Sequence, residues 1–395
     1  MRVCFVSPQV PSGAYGRRGF SFLKQLSESG HEVTLHCIRD PGPVRDAEEA
    51  LEALGIRVRS VVLPRVKRWR RCLAGWFGEE PLRILHCASG TLEAQLLEDL
   101  RGNPPEVLHV DRFRMAPYAI AARQVYSGPV IVDFPDALSL YYERAIRHPV
   151  GRLKGWIDRR EHRLIPPWEA NLLATGFHHV VCSEVDRQAL LKHGVEASIH
   201  VLPHTVDTDD FQPRARGDGS VRGVFTGTLY YLPNMDALLW YREEIQPLLG
   251  FELPIEVVGF GATRELDEVR RDARYHFTGY VERMSDHLFE EDIYLCPLRI
   301  AAGVRNKLLE AFAAGMAVVS TSIGHEGIEC RHGEHLLVAD TAEEFARAVR
   351  RLAEDPSERA RLGRNARELA CRVYSPRTFA GNVEALYQES VRSHP

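Results

Sequence analysis

Short apolar runs alternate along this chain with longer segments in which apolar residues recur every three or four positions. Runs of the first kind are typical of buried strands, and segments of the second kind are typical of amphipathic helices. Strands that alternate with helices favour a parallel sheet covered on both faces. In the first half of the chain the runs span residues 3–7, 33–38, 58–63, 107–110, 130–134, 179–182 and 200–202.

Glycines and a polar interruption of the strand-helix alternation divide the pattern further. Gly30 closes a predicted helix at 16–29 and Gly176 follows one at 153–174, as glycine does at helix ends. The stretch 213–219, rich in Arg, Gly and Asp, predicts a linker. Beyond it the strand runs resume at 221–226, 255–259, 275–278, 293–296, 317–321 and 336–338, and helices at 357–373 and 376–391 close the chain.

This restart predicts two α/β domains, each a Rossmann-like, doubly wound parallel sheet. We expect an amino-terminal domain at 1–212, a linker at 213–219, a second domain at 220–375, and a helix at 376–395 that crosses back to the first domain. A length of 395 residues suits two such domains. Two of them facing each other form a cleft at the carboxyl ends of their strands, where open α/β sheets bind ligands.

Composition narrows the class of protein. The apolar and charged fractions, 45% and 26%, are those of a soluble globular protein, and a net charge of −4 gives no reason to expect nucleic acid. The first apolar run stops at Pro8, short of an export signal, and no run reaches the length of a membrane span. The eight cysteines include no Cys-x-x-Cys pair, which argues against a zinc site or a disulfide framework. We therefore expect a cytoplasmic protein whose membrane contact is at most peripheral.

The most informative chemistry lies in residues 297–315. A strand ends at Pro297, a loop of small residues follows, and a helix is predicted to begin near Gly303. Backbone N–H groups at a helix start form an anion site. Lys307 and Glu310, three residues apart, share one helical face. A cation for a diphosphate and a carboxylate for ribose hydroxyls suit a nucleotide-sugar, and an ordinary surface ion pair is the alternative.

This segment, with Ala317-Val318-Val319-Ser320-Thr321 and Gly324-His325-Glu326-Gly327 after it, resembles the donor half of family 4 retaining glycosyltransferases of the GT-B fold. The likeness extends over nearly the whole chain, through residues 30–34, 206–207, 211–213, 225–227 and 233–234. The strings at 297–300 and 306–311 are similar to those of sugar transferases found with exopolysaccharide and exosortase systems.

The resemblance implies a nucleotide-diphosphate sugar as donor and a glycan or lipid-linked acceptor. It implies that Glu310 binds the donor ribose and that Lys307 neutralises the diphosphate leaving group. It also implies front-face attack with retention, without a metal or another cofactor. The remaining donor contacts that it implies are Gly13, Gly16, Gly227, Gly303, Val304, Arg305 and Asn306. For Gly13 and Gly16 a plain turn is the alternative.

The sequence departs from the family pattern at three places. Ala302 stands eight positions before Glu310, where the family often has a second glutamate. Thr228 and Pro233-Asn234 replace a basic pair, so Lys307, helped by Arg305 or by Arg17 and Arg18, must supply the positive charge. A histidine after the fifth strand is replaced by Asp133-Phe134-Pro135-Asp136. We assign Asp136 a catalytic role toward the acceptor, with a helix N-cap as the alternative.

Basic residues and tryptophan are interleaved in residues 65–77, with Arg68, Trp69, Arg70 and Arg71 at the centre. Such a mixture suits the headgroup region of an anionic leaflet, on the inner face of the plasma membrane, and a solvated charge run is the alternative. The run Asp207-Thr208-Asp209-Asp210 resembles a metal motif of the other glycosyltransferase fold, but its position favours an interdomain turn. Two other functions stay open, a nucleotide-sugar 2-epimerase and a catalytically inactive scaffold that binds a nucleotide.

Overall fold

The computed structural model describes residues 1–12, 17–42, 45–147, 152–301 and 303–394. The chain forms two compact units, Met1–Pro203 with Ala380–Pro395, and His204–Phe379. Gly13, Gly16 and Ala302, which the sequence singles out, lie outside the described residues.

The first unit is built on a seven-stranded parallel sheet in the order β3-β2-β1-β4-β5-β6-β7. Its strands are β1 (Arg2–Ser7), β2 (Glu32–Arg39), β3 (Arg57–Val62), β4 (Val107–Asp111), β5 (Val130–Phe134), β6 (His178–Val181) and β7 (Ile199–Val201). Its helices are α1 (Arg17–Glu28), α2 (Arg45–Ala53), α3 (Arg65–Ala74), α4 (Leu82–Cys87), α5 (Gly90–Gly102), α6 (Ala116–Ala122), α7 (Leu138–Ala145), α8 (Arg152–Leu173) and α9 (Glu184–Leu191). Every residue of β4 and β5 is buried, as helices on both faces of a parallel sheet require.

The second unit repeats this plan with six parallel strands in the order β10-β9-β8-β11-β12-β13. Its strands are β8 (Gly223–Thr226), β9 (Ile255–Val258), β10 (Tyr275–Gly279), β11 (Ile293–Cys296), β12 (Ala317–Ser320) and β13 (Leu337–Val338). Its helices are α10 (Leu232–Trp240), α11 (Asp267–Arg271), α12 (Asn306–Ala313), α13 (Ser322–His325), α14 (Ala342–Glu354) and α15 (Pro356–Val373). The last helix of the chain is α16 (Pro376–Arg392).

The predicted strands and the predicted helix ends agree with these elements to within one or two residues. Gly30 and Gly176 adopt φ of +76° and +72°, the left-handed backbone that ends a helix and that glycine adopts without strain. The prediction of doubly wound parallel sheets is confirmed. The pattern of apolar residues was enough to locate the strands, because strands buried in a parallel sheet are nearly continuous apolar runs.

The boundary between the units falls at Pro203/His204, ahead of the predicted linker at 213–219. Residues 204–219 are bonded within the second unit. The N–H of Val206 donates to the carbonyl of Tyr374 over 2.8 Å, and Arg216 Nη1 donates to Asp292 Oδ1 over 3.1 Å. The polar composition of the stretch therefore reflects bonded side chains on the second unit.

The carboxyl-terminal helix α16 belongs to the first unit from residue 380 onward. Tyr387, which is fully buried, forms a 2.7 Å hydrogen bond between its hydroxyl and His109 Nδ1 on β4. Burial, and secondarily the charge of Arg18, hold the pKa of His109 well below its usual value, so the ring is neutral. No helix of the described residues is long and apolar enough to cross a membrane.

Candidate active site

The sheet of the second unit changes winding direction between β8 and β11, which are neighbours in space but not in sequence. In open α/β sheets the loops on either side of such a point diverge and leave a crevice at the carboxyl ends of the strands. Thr226 ends β8, and its hydroxyl lies 2.6 Å from the hydroxyl of Tyr294 on β11. This contact ties together the two strands that form the floor of the crevice.

Lys307, on the first turn of α12, directs its ammonium at this crevice. Nζ donates to the carbonyl of Thr226 over 2.9 Å and to Asn234 Oδ1 over 2.8 Å. It also lies 4.3 Å from the centre of the Phe225 ring, a favourable cation–π distance. Asn234 therefore orients the lysine, at a place where the resemblance led us to expect a basic residue.

Burial lowers the pKa of Lys307 to about 8, and the charge of Arg305 acts in the same direction, whereas Cys296 and Glu310 oppose it. The surrounding groups therefore do not offset the cost of burying this ammonium, and a bound anion would reduce that cost. Electrostatics of this kind are typical of sites that bind an anion.

Helix α12 begins at Asn306, so the predicted start near Gly303 was wrong by three residues. Gly303 has φ of +71° and lies in the preceding loop, and Arg305 occupies the N-cap position. Arg305 is buried and donates from Nη2 to the carbonyl of Ile323 over 3.2 Å. Glu310 is also buried, on the same helix, within electrostatic range of Lys307.

Gly227 and Gly259 allow two crevice loops to approach each other. A Cβ on Gly259 would lie 1.9 Å from the carbonyl oxygen of Gly227, and one on Gly227 would lie 2.5 Å from Asn234 Nδ2. Gly227 and Gly259 also have positive φ, of +148° and +153° respectively. A larger residue at either position would displace the loop that holds Asn234 and, through it, Lys307.

Three aromatic side chains extend from the loops after β8, β9 and β10. The ring of Phe260 lies 6.1 Å from that of Tyr230 and 6.1 Å from that of Tyr280, edge to face in both cases. All three rings are exposed, Tyr280 by 74%. Exposed aromatic rings at the carboxyl edge of a sheet offer a stacking surface for a planar group such as a nucleobase.

In the first unit Arg18, which the sequence analysis named with Arg17 as an alternative to Arg305 in helping Lys307, is engaged within the fold. Its guanidinium forms a two-pronged ion pair with Asp133, with both N···O distances 2.7 Å and both side chains buried. Nη1 also donates to the carbonyl of Leu202 over 3.0 Å. Although burial alone would lower it, the carboxylate of Asp133 keeps the pKa of Arg18 above its ordinary value. Arg18 thus joins α1 to β5.

Asp136 is not a helix N-cap. That position in α7 is held by Ala137, whose N–H donates to Asp186 Oδ1 over 3.0 Å. Asp136 instead lines a small pocket with Arg83, Arg112 and Arg114. Sequence reasoning missed these three arginines, although charged residues directly after the apolar run of β4 were a usable signal.

Asp111, the last residue of β4, also escaped the sequence analysis. It is buried at the winding change between β1 and β4 and accepts a 2.9 Å hydrogen bond from the hydroxyl of Ser7. Burial raises the pKa of this carboxyl, more than the nearby charge of Arg112 lowers it. Its position is the counterpart, in the first unit, of the crevice beside Lys307.

The basic segment at 65–77 forms α3 and the turn after it, and its arginines divide into two groups. Arg68 is buried and donates to the carbonyl of Leu63, and Arg71 donates to the carbonyl of Ala88. Arg70 points to solvent. The exposed side of α3 and the turn after it also carry large apolar side chains, Val66, Trp69, Leu73 and Phe77, of which Phe77 is 96% exposed. We call these four residues the α3 apolar face.

The Asp207–Asp210 run forms a turn. Asp207 Oδ1 accepts from the N–H groups of Asp209 and Asp210 over 3.1 and 3.0 Å, and Asp210 pairs with Arg283 over 2.5 Å. The carboxylates of Asp207 and Asp210 therefore hold the turn together.

Comparisons with known proteins identify the family. Residues 221–355 match the family described as "Glycosyl transferases group 1", and residues 13–205 match "Glycosyl transferase 4-like domain". An uncharacterized 44.6 kDa protein in the cps region of Klebsiella pneumoniae is 28% identical over 137 residues, 32% of this chain and 35% of that protein. The match spans about a third of that relative's length.

Solved structures share the architecture at low identity. A glycosyltransferase from Rickettsia africae ESF-5 superposes with a TM-score of 0.74 over 99% of both chains, at 13% identity. Anabaena Alr3699/HepE in complex with UDP-glucose has a TM-score of 0.70 at 15% identity, over 98% of this chain and 100% of that one. WaaG, a glycosyltransferase involved in lipopolysaccharide biosynthesis, has a TM-score of 0.61 at 15% identity, over 96% and 99%. With both halves matched, the chain belongs to the group 1 glycosyltransferases and has the GT-B fold.

Proposed function

We propose that this chain transfers a hexosyl or related sugar from a nucleotide-diphosphate sugar to a glycan or lipid-linked acceptor. The anomeric configuration is retained. The observation that carries the proposal is the ammonium of Lys307, which is largely buried at the winding change of the second unit with its pKa lowered. A diphosphate supplies the negative charge that this site lacks, and the crevice is where doubly wound sheets bind such groups.

Lys307 has the capacity to bind the diphosphate without releasing its present partners. An ammonium has three hydrogens to donate, and two acceptors among the described residues, Thr226 and Asn234, take two of them. The third is available for a phosphate oxygen. Held at two points, the charge is preorganised for the anion that builds up as the sugar departs, and preorganised charge commonly contributes more to catalysis than any other single effect.

The rest of the donor has partners on the same unit. Glu310 binds the ribose hydroxyls, and Tyr230, Phe260 and Tyr280 stack against the base. Anabaena Alr3699/HepE, which has the same fold, has been crystallised in complex with UDP and with UDP-glucose. This supports a nucleotide-sugar as donor and leaves the base and the sugar of this chain open. For the chemical step we propose front-face attack, in which the leaving phosphate oxygen takes the proton of the acceptor hydroxyl.

The first unit binds the acceptor, and α3 holds this unit at the inner face of the plasma membrane. Lys67 and Arg70 beside the α3 apolar face give it positive charge together with exposed apolar area. That combination suits anionic lipid. A role in cell-surface or exopolysaccharide synthesis is supported by the relative in the cps region and by the lipopolysaccharide role of WaaG.

Thermal stabilisation by a panel of nucleotide-sugars, followed by product analysis, tests the proposal. A true donor raises the free energy of unfolding, by about 2.7 kcal/mol at a hundred times its Kd. Incubated with that donor, a transferase releases the nucleoside diphosphate slowly, an epimerase returns an isomeric nucleotide-sugar, and a scaffold changes nothing.

The variant Lys307→Met should lose donor stabilisation, whereas Arg331→Met, on an exposed loop of the same unit, should keep it. If no nucleotide-sugar stabilises the wild type, or if Lys307→Met keeps the full effect, the donor site is wrong. An isomeric nucleotide-sugar as the sole product would replace the transferase by an epimerase.

A further inference from the structure

A pocket in the first unit concentrates positive charge at the carboxyl ends of β4 and β5. Arg112 directly follows β4, Arg114 lies in the 3-10 turn after it, and Arg83 comes from α4. Among the described residues that line the pocket, the acidic one is Asp136, which follows β5. Three arginines and one aspartate therefore share the lining of this pocket.

The nearby Asp111 does not cancel the excess. Its Oδ1 lies 3.8 Å from Arg112 Nε, beyond hydrogen-bond reach, and its Oδ2 is taken by the hydroxyl of Ser7 at 2.9 Å. Burial lowers the pKa of Arg114 and the like charges of Arg112 and Arg83 lower it further, whereas Cys87 and Asp136 act in the opposite direction. The cations of this pocket thus repel one another, and a bound anion would relieve the repulsion.

Arg112 is held in a conformation that its side chain does not favour. It is the one non-glycine residue of the described chain with φ in the left-handed range, +76° with ψ of 142°. Its N–H donates to the carbonyl of Asp133 over 3.0 Å, and its carbonyl accepts from Met115 over 2.9 Å. Arg112 Nε is buried with no hydrogen-bond partner in the part of the chain that the structure describes. Backbone strain around an unsatisfied cation is typical of a ligand site.

Arg83 is set in place on the other side of the pocket. Nε donates to the hydroxyl of Tyr142 over 2.8 Å, and the guanidinium lies 5.6 and 5.5 Å from the rings of Tyr141 and Tyr142. A stacked guanidinium keeps its remaining N–H donors in a fixed plane. Such a fork matches the oxygens of a phosphate or a carboxylate.

We propose that this pocket binds a phosphoryl group of the acceptor, an inference that rests on the proposed transferase function. An excess of two positive charges in the lining matches a phosphate monoester better than a carboxylate, because the monoester is close to a dianion at neutral pH. Arg112 and Arg114 bind the oxygens and Arg83 fixes the orientation. Asp136 then lies beside the bound group, where it limits the charge that the pocket accepts.

The phosphoryl group belongs to a membrane lipid or to a soluble sugar phosphate, which share this chemistry. The pocket is linked to α3 through α4. The ring of His86 on α4 lies 6.5 Å from that of Trp69, edge to face, and Arg83 is three residues earlier on the same helix. A lipid-borne phosphate would thus be bound next to the helix proposed to dock on the membrane.

The first test is thermal unfolding of the whole chain in inorganic phosphate against chloride at equal ionic strength. Phosphate should raise the Tm of the wild type, and the rise should fall by at least half in Arg112→Gly and in Arg114→Gln. The control Arg101→Gln, at an exposed position on α5, should keep it. A wild type that phosphate does not stabilise, or a rise that survives both arginine variants, overturns the proposal. If the rise is lost in Lys307→Met but kept in both arginine variants, phosphate binds in the donor half. That outcome overturns this proposal and leaves the proposed function unaffected.

Arg112→Gly separates a binding role from a structural one. Glycine adopts the backbone of residue 112 without strain, so in chloride the variant should unfold at the same temperature as the wild type or higher. A structural arginine would instead lower the Tm in chloride, and that outcome overturns the binding role.

Vesicles distinguish the two sources. Phosphatidylcholine vesicles with phosphatidic acid present a phosphate monoester, and those with phosphatidylglycerol at equal surface charge present a diester. A preference for phosphatidic acid that Arg114→Gln abolishes supports a lipid source. Equal binding to both kinds of vesicle, together with the rise of Tm in phosphate, supports a soluble source.

When donor and acceptor are known, Arg114→Gln should raise KM for the acceptor at least tenfold and leave KM for the donor unchanged. A chain without transferase activity that still binds phosphate here refutes only the proposed function.

Discussion

Charged side chains that are buried or partly buried in this protein differ in the partners that hold them. Arg18 is paired with Asp133 and bonded to a carbonyl, so its charge is compensated within the fold. Lys307 and Arg112 are held by the protein without a carboxylate at hydrogen-bond distance among the described residues. The paired charge of Arg18 stabilises the first unit, whereas Lys307 and Arg112 are the two positions at which we propose a bound anion.

The buried ion pair yields a stability prediction. Arg18→Met leaves the carboxylate of Asp133 buried and alone, which should cost the first unit about 3–5 kcal/mol in urea unfolding. Lys24→Met, on the same helix, removes an exposed pair with Glu28 and should cost less than about 1 kcal/mol. The double variant Arg18→Met/Asp133→Leu should recover much of the loss. A single variant as stable as the wild type would show that Arg18 is available for another role.

The lowered pKa of Lys307 yields a pH prediction. The protonated lysine binds the diphosphate, so kcat/KM for the donor should fall as the pH rises through about 8, the pKa of the free enzyme. A bound diphosphate favours the ammonium, so the alkaline limb of kcat should lie at higher pH. Lys307→Arg, which keeps its charge, should lower the rate and remove the limb from kcat/KM. An unchanged limb in that variant would assign the ionisation to another group.

Sequence reasoning predicted the residues whose chemistry is local and missed those whose role depends on packing. The spacing of Lys307 and Glu310 indicated one face of a helix, and both residues are on α12. Nothing in the sequence distinguished Arg18 from Arg17, because the partner that commits Arg18 lies 115 residues away on β5. The strained backbone of Arg112 has no sequence signature, since most such positions are glycine.

At the scale of elements, apolar periodicity located strands better than it located helix starts. The predicted start of α12 was three residues early because small residues after a strand have no preference that marks a cap. The segment 65–77 was described by its charges alone, whereas the structure gives it a helix whose buried face includes Arg68 and Cys72. The large apolar side chains Val66, Trp69, Leu73 and Phe77 remain exposed.

That exposed face yields the prediction for α3. The double reversal Lys67→Glu/Arg70→Glu should weaken binding to anionic vesicles by at least about 2 kcal/mol, roughly 30-fold, because each basic residue there contributes about 1 kcal/mol. Trp69→Ser/Phe77→Ser should weaken it also at high salt, where charge is screened. The reversal Arg101→Glu on α5 serves as the charge control. Arg68 and Arg71 are left intact, since both hold backbone carbonyls. Unchanged binding in both double variants would return the segment to a solvated charge run.

At the scale of the whole molecule, the first structural unit is not one continuous stretch of the chain, because it also includes the residues from Ala380 onward. The two sheets follow the predicted order of strands, since each strand run pairs within its own half. The division at residue 203 escaped prediction because composition does not reveal that residues 204–219 are bonded to the second unit. The last helix returns to the first unit, so that unit is complete only after residues 380–392 have been synthesised.

This topology predicts that removal of residues 380–395 destabilises the unit at the opposite end of the sequence. The helix contributes three large buried side chains to the first unit, Val383, Leu386 and Tyr387. At about 1.5–3 kcal/mol each, their burial amounts to roughly 5–9 kcal/mol. That is comparable to the whole stability of a typical domain, about 5–15 kcal/mol. The cut also leaves His109 buried without its Tyr387 partner.

A chain that ends at Phe379 should therefore show a first unit that trypsin degrades at 37 °C, with a second unit that resists. Donor should still raise the Tm of the second unit in that chain, because Lys307 and its partners all lie within His204–Phe379. A chain that ends at Arg392 is the matched control and should behave as the full chain does. Tyr387→Phe, which removes one hydroxyl, should cost the first unit about 1–3 kcal/mol through the unsatisfied imidazole. If the chain ending at Phe379 loses both units together, or neither, the last helix does not serve the first unit in the way that its contacts indicate.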